Sequence, residues 1–174
     1  MRVITGSARG KRLITPEGRD VRPTPDRVKE ALFSALQFDI EGRRVLDLFA
    51  GSGQLGIEAL SRGAEFAVLV DNSAISVRTA NANVAACGFE DKARVVRSDF
   101  ASFCAMSRDV FDIVFLDPPY NKGIEEKVFA ELGKNLSEAS VVVLETEYLP
   151  ESFEGFEIIK QAKYGRVYIT LYRL

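Results

Sequence analysis

The stretch DIVFLDPPYN, Asp112 to Asn121, ends an apolar run with a carboxylate, two prolines and an aromatic ring. Proline has no amide hydrogen and restricts the residue before it, so Pro118 and Pro119 hold the chain extended with their carbonyls turned outward. Asp117 adds a fixed acceptor, and Tyr120 adds a flat ring. The chemistry this suits is methyl transfer to a planar amine. An exocyclic amine on a nucleobase is a poor nucleophile, because its lone pair is delocalised into the ring. Two acceptors, the Asp117 carboxylate and the Pro118 carbonyl, could hold both amine hydrogens and aim the lone pair at a methyl donor. Tyr120 would stack on the base, a contact worth about 1 to 3 kcal/mol, and the base must be unpaired or leave its helix to arrive there. A rigid loop capping a strand is the plain alternative for the tetrapeptide alone, and its place in the chain has to decide.

A second group of residues supplies that place. The run RVLDLF leads into AGSGQLG, where Gly51, Gly53 and Gly56 make a glycine-rich turn that lets a ligand approach the start of a helix. Asp71 ends the next apolar run about twenty residues on, where an acid can bind both hydroxyls of a ribose. Asp99, in VVRSDF, follows a third run and could face an adenine amino group. An adenosine-containing cofactor is the economical reading. Asp47, just before the glycines, would repel a pyrophosphate but attract the sulfonium and ammonium of S-adenosylmethionine. No lysine follows the glycines, so GSGQLG is not a P-loop.

The elements that must carry these residues follow from hydrophobic pattern. RVLDLF, FAVLVD, ARVVR, DIVFLD and SVVVLE are five short apolar runs, separated by helical stretches at GQLGIEALSRG, SAISVRTANANVAACG, near 101–107, and IEEKVFAELGKNL. Such alternation predicts an α/β, Rossmann-like, doubly wound and mostly parallel sheet, covered by helices on both faces. The tail FEIIKQAKYGRVYITLYR predicts two strands around a tight turn at Tyr164 and Gly165, an antiparallel C-terminal edge. Ahead of the sheet, RVIT and KRLIT predict a small hairpin around GSARG. PTPDRVKEALFSAL predicts a helix with Thr24 as N-cap, Pro25 at its first position and a stripe of Val28, Ala31, Leu32, Ala35 and Leu36. The expected division is residues 1–40, an extension packing on the core, and 41–174, the catalytic domain.

Composition narrows the class. At 174 residues and 47% hydrophobic, the chain has room for one core but not for a cofactor domain plus an independent substrate domain. It contains no histidine, which removes every mechanism built on an imidazole base and every His-ligated metal. Cys87 and Cys104 lack metal spacing and suit reduced core thiols, and the N-terminus lacks the apolar core of a signal peptide, so a cytoplasmic protein without a membrane span is expected. Net charge is -2, but up to Glu30 eight basic residues face four acids, a net +4 against about -6 for the rest. That asymmetry fits either a solvated surface or a phosphate-binding one.

In order and spacing, LDLFAGSGQLGIEALSRGA, VLVDNS, RSDF and FLDPPY resemble the motifs of Rossmann-like S-adenosylmethionine-dependent amino methyltransferases. RVITGSARGKRLITP followed by RPTPDRVKEALFSAL is similar to the bacterial family that methylates N2 of guanine 966 in 16S ribosomal RNA. The resemblance implies that Asp47, Ala50 and the Gly51, Ser52, Gly53 turn with Gly56 hold the methionine part. It implies Asp71 and Asn72 at the ribose, Asp99 with Phe100 at the adenine, and Thr24 near the cofactor mouth. Asp117, Pro118, Pro119 and Tyr120 would hold the guanine, and Arg9, Lys11, Arg12, Arg22 and Arg27 would face RNA. S-adenosylmethionine as the methyl donor, yielding S-adenosylhomocysteine, is implied, with 16S RNA as substrate, alone or in an assembling small-subunit particle; a monomer is expected, and the chemistry itself needs no metal. A DNA adenine-N6 methyltransferase shares the tetrapeptide, but normally carries a target-recognition region for which little chain is left. A protein glutamine methyltransferase more usually has Asn at the first letter. A nicotinamide-dependent oxidoreductase leaves residues 117–120 unexplained, and a non-catalytic module leaves the amine pocket without a purpose.

Overall fold

A computed structural model describes residues 1–16, 25–118 and 123–174. The expected Thr24 cap, Arg22, Pro119 and Tyr120 lie outside the described residues. Seven strands form one sheet in the order β3-β2-β1-β4-β5-β7-β6. They are β1 (Arg44–Asp47), β2 (Phe66–Asp71), β3 (Ala93–Arg97), β4 (Phe111–Leu116), β5 (Leu136–Thr146), β6 (Glu157–Tyr164) and β7 (Val167–Arg173). The first five pair in parallel, and β7 runs antiparallel to both its neighbours. The tail hairpin turns at Gly165, whose φ of +65° favours glycine, so β6 lies on the edge and runs the same way as β5.

Strand side chains alternate between two cores, as the period of two requires. Val45, Leu69, Phe115 and Val143 face a cluster with α1 (Asp26–Ala35), α2 (Gln54–Ser61) and α3 (Ala74–Cys87). Leu46, Val70, Val114 and Val142 face the other cluster, with α4 (Phe100–Met106) and α5 (Ile124–Leu132). Burial on both sides is why β1, β2 and β4 read as continuous apolar runs.

Two findings adjust the expected N-terminal part. Pro25 stands at the cap position of α1 rather than inside it, and its carbonyl accepts the amides of Val28 and Lys29. The buried face is Val28, Lys29, Leu32, Phe33 and Leu36, rotated from the expected stripe so that Ala31 and Ala35 are only half-buried. Phe33 is the larger anchor and drives the rotation, its ring tilted against Phe115 of β4 at 5.5 Å. The hairpin closes through a single antiparallel bridge, Arg2 to Arg12, yet it is firmly built in. Val3, Ala8 and Leu13 are buried in the same cluster as α1 to α3.

The reason is a buried polar hub that periodicity did not reveal. Glu58, fully buried on α2, accepts the amides of Ile4 (2.8 Å) and Thr5 (3.1 Å) and the Nε of Arg62 (2.9 Å). Lys29, also fully buried, lies 3.6 Å from the same carboxylate and donates to the Arg2 carbonyl at 2.6 Å. Burial pulls the Lys29 ammonium below the usual lysine range, opposed by the neighbouring Glu58 charge. Ser61 accepts the Ala8 amide and donates to the Thr5 carbonyl. No described helix is long and apolar enough to cross a membrane.

Candidate active site at the carboxyl edge of the sheet

Because β1 to β4 are parallel, their carboxyl ends deliver Asp47, Asp71, Asp99 and Asp117 to one edge, with β1 and β4 as neighbours. Between β1 and α2 the chain makes the glycine turn. Ala50 is buried, donates its amide to the Val70 carbonyl (2.9 Å) and accepts from Gly53 (2.7 Å). Gly53 has a φ of +79°, and a Cβ there would sit 2.6 Å from Cδ2 of Leu69. Gly56 faces the same leucine, with a Cβ position 3.1 Å from its Cγ, so it permits close helix-to-strand packing.

The turn is wired to two of the acids. Asp47, buried at the end of β1, accepts the Gly56 amide at 3.1 Å, and Asp71 accepts the amides of Gly51 (2.9 Å) and Ser73 (2.8 Å). Burial, with the Asp117 and Asp71 charges adding to it, pushes the Asp47 carboxyl up to about 7 against the opposing Gly56 hydrogen bond. Burial also pushes the half-buried Asp117 up to about 6. Two neighbouring acids that resist ionisation together make a site deficient in positive charge. Gln54 reinforces this: in the first turn of α2 its buried Oε1 has no hydrogen-bond donor among the described residues. An orphan acceptor and clustered carboxylates fit a ligand carrying an ammonium and a sulfonium and oppose a dianionic pyrophosphate.

The remaining expected residues fall in varied settings. Ser52 is buried, with its carbonyl accepting from Asn83 at 2.9 Å, and Asn72 is exposed beside Asp71. Asp99 caps α4 through the Ser102 amide (2.9 Å), which holds its exposed carboxyl below the usual range. Phe100 is half-buried, 6.0 Å from the ring of Phe49. The structure brings Asp47, Asp71 and Asp117 into one electrostatic group, whereas Asp99 sits two strands from β1 and is engaged in its own helix cap. Pro118 is buried beside Asp117. Arg9, Lys11 and Arg12 are exposed on the hairpin, and Arg27 is exposed on α1.

Two supporting residues escaped sequence reasoning. Asn83, buried on α3, donates to the carbonyls of Ile14 and Ser52 and accepts the Ile14 amide, tying the hairpin strand to the glycine turn. Glu125, in the first turn of α5, accepts the Tyr148 hydroxyl (2.6 Å) and the Gly123 amide (3.1 Å), fixing the chain where it returns from the Asp-Pro-Pro-Tyr stretch. An acid in a first helical turn carries a general signal of dipole stabilisation, but its tyrosine partner is set by the distant end of β5.

The family described as Conserved hypothetical protein 95 matches residues 1–173. Ribosomal RNA small subunit methyltransferase D of Escherichia coli (strain K12) is 36% identical over 178 residues, covering 99% of this chain and 89% of the relative. The protein of that name from Haemophilus influenzae is 34% identical, covering 99% and 93%. Among solved structures, the Escherichia coli protein yhhF superposes with a TM-score of 0.89 at 36% identity, covering 99% of this chain and 97% of that one. A hypothetical protein from Thermus thermphillus gives 0.84 at 31%, covering 100% and 99%.

Proposed function

The chain belongs to the Conserved hypothetical protein 95 family of S-adenosylmethionine-dependent methyltransferases, and from that premise we propose that it methylates the exocyclic N2 amine of a guanine in 16S ribosomal RNA, guanine 966 by resemblance. The observation that carries the reading is the meeting of Asp47, Asp71 and Asp117 on neighbouring strand ends, with Pro118 following directly. The names of the relatives support ribosomal RNA as substrate.

S-adenosylmethionine supplies an electrophilic methyl group on a sulfonium. This chain's residues would do the rest. Asp47 and the Gln54 Oε1 offer acceptors to the cationic end, Gly51 leaves open space at the turn for close approach, and Gly53 lets the turn pack down on Leu69. Asp71, its orientation fixed by two amides, keeps further lone pairs on both oxygens for ribose hydroxyls. Asp99 and Phe100 would border the adenine. The Asp117 carboxylate and Pro118 carbonyl each accept one amine hydrogen, and Tyr120 stacks on the base. Held in this way, the amine lone pair would face the methyl group, whose former bonding pair would leave with the sulfur. The nitrogen then carries a positive charge, and the Asp117 carboxylate takes the excess proton. A carboxyl raised to about 6 is a better base for this than an ordinary one.

Tritiated methyl transfer to naked 16S RNA, small-subunit particles and duplex DNA, followed by nucleoside identification, tests the substrate. N2-methylguanine from one of the RNA substrates is expected, and methylated adenine as the only product overturns the choice of guanine. Asp117→Ala should lower kcat by roughly 10²-fold or more while S-adenosylhomocysteine affinity stays within a few fold. Undiminished turnover would remove Asp117 from the mechanism.

A further inference from the structure

Away from the acid cluster, a cavity of about 470 Å³ lies between the hairpin and α1. Its lining includes Arg2, Arg9 and Arg62, with Glu30 and Ser34 from α1 and Gln37 from the turn that follows it. Three guanidinium groups and the Glu30 carboxylate line it; Asp26 pairs with Arg2, and Glu58 is shared by Arg62 and Lys29, so four cations meet three acids and Arg9 has no ion pair among the described residues. Small-molecule pockets are mostly apolar, and this lining is mostly charged and polar.

The arginines are held in a way that suits phosphate. Arg62 is nearly buried, with its guanidinium 4.8 Å over the ring of Phe33 and its Nε spent on Glu58 at 2.9 Å. Arg2 likewise spends its Nε on Asp26, at 3.2 Å. Among the described residues the terminal nitrogens of both have no hydrogen-bond partner, leaving forked donors of the kind that grip phosphate oxygens in pairs. Arg9 is exposed near the hairpin tip.

Two further observations select nucleic acid over another anion. Phe38, next in sequence to the lining residue Gln37, is 92% exposed, the most exposed large hydrophobic side chain among the described residues, and an exposed aromatic ring is a stacking platform for an unpaired base. The open end of the hairpin also touches the glycine turn: the Ser52 hydroxyl meets Sδ of Met1 at 3.5 Å, and Asn83 joins Ile14 to Ser52. The groove and the carboxyl edge are thus joined through one element.

We propose that this groove binds the backbone of a single-stranded RNA segment flanking the methylated nucleotide, with Arg2, Arg9 and Arg62 on phosphates and Phe38 on a base. This rests on RNA being the substrate.

The test uses Arg9→Glu, Phe38→Ala and the double variant, all at exposed positions away from the acids. Three quantities are compared with wild type: the salt dependence of affinity for a fluorescent unstructured RNA, KM and kcat on the methylated RNA, and S-adenosylhomocysteine affinity. The double variant should bind RNA at least tenfold more weakly with a shallower salt slope and a higher KM, while kcat, S-adenosylhomocysteine affinity and Tm stay unchanged. Unchanged RNA affinity and KM in a double variant that methylates RNA would overturn the groove while leaving the substrate reading intact. If wild type binds S-adenosylhomocysteine but neither binds nor methylates RNA, the substrate reading fails and the groove with it. Displacement of the RNA by polyglutamate as readily as by unlabelled RNA would also overturn it, in favour of an acidic protein partner.

Discussion

Asp47 would be unremarkable at a strand end but for its surroundings. It is buried and it faces the charges of Asp117 and Asp71, and burial above all pushes its carboxyl up to about 7 from the ordinary 3.8. A cationic ligand lowers such a pKa by favouring the ionised form. Binding of S-adenosylmethionine between pH 6 and 7 should therefore release protons, read by calorimetry in buffers of different ionisation enthalpy; the same apparent heat in every buffer would contradict it. The stability consequence has a definite sign. Acids raised on folding let the folded state bind more protons than the unfolded one, so unliganded stability falls as pH rises from about 4 to about 7. Asp47→Asn removes the larger of the two shifts and can still accept the Gly56 amide. Its unliganded Tm at pH 8 should exceed wild type while its S-adenosylhomocysteine affinity drops.

The strand, glycine turn and helix that surround this acid were readable from sequence, because AGSGQLG after an apolar run has few other uses. What the glycines do individually was not. Gly53 combines a φ of +79° with a Cβ position 2.6 Å from Leu69, whereas Gly56 has only the tight contact with the same residue. Gly53→Ala should cost about 1 to 2 kcal/mol for the left-handed backbone alone, and more once Leu69 must move. Gly56→Ala should cost less, because a helical alanine is otherwise favoured. Urea unfolding of the two variants checks the order. The α1 stripe shows the limit of periodicity: Val28, Leu32 and Leu36 were placed correctly, but Lys29 was hidden because a lysine on an apolar face carries no signal without its partner.

That partner, Glu58, welds the N-terminal hairpin to the rest of the molecule. Removing it would strand the buried Lys29 and the amides of Ile4 and Thr5, so Glu58→Ala should destabilise by about 3 to 5 kcal/mol. Because Val3 and Leu13 share a core with the sheet, hairpin and sheet should unfold in one transition. Amide exchange tests this directly, since the Val3 amide, bonded to the Lys11 carbonyl, should exchange only on global opening. Exchange of Val3 well ahead of the amides of β1 would show that the hairpin opens separately.

Local order fixes the chain's alternation of strand and helix, its glycine turn and the acids that end its strands, since each depends on neighbours a few residues apart. The resemblance carried by those motifs also reached the family. Tertiary structure alone decided which acids share charge, because that depends on β1 lying between β2 and β4, an order no local pattern states. It likewise decided that Glu58 meets Lys29, that Asn83 ties residue 14 to residue 52, and that Arg2, Arg9 and Arg62 line one cavity. Buried polar partners and cationic grooves form between residues distant in sequence, where a charged letter looks the same whether it will face water, a counter-charge or a ligand.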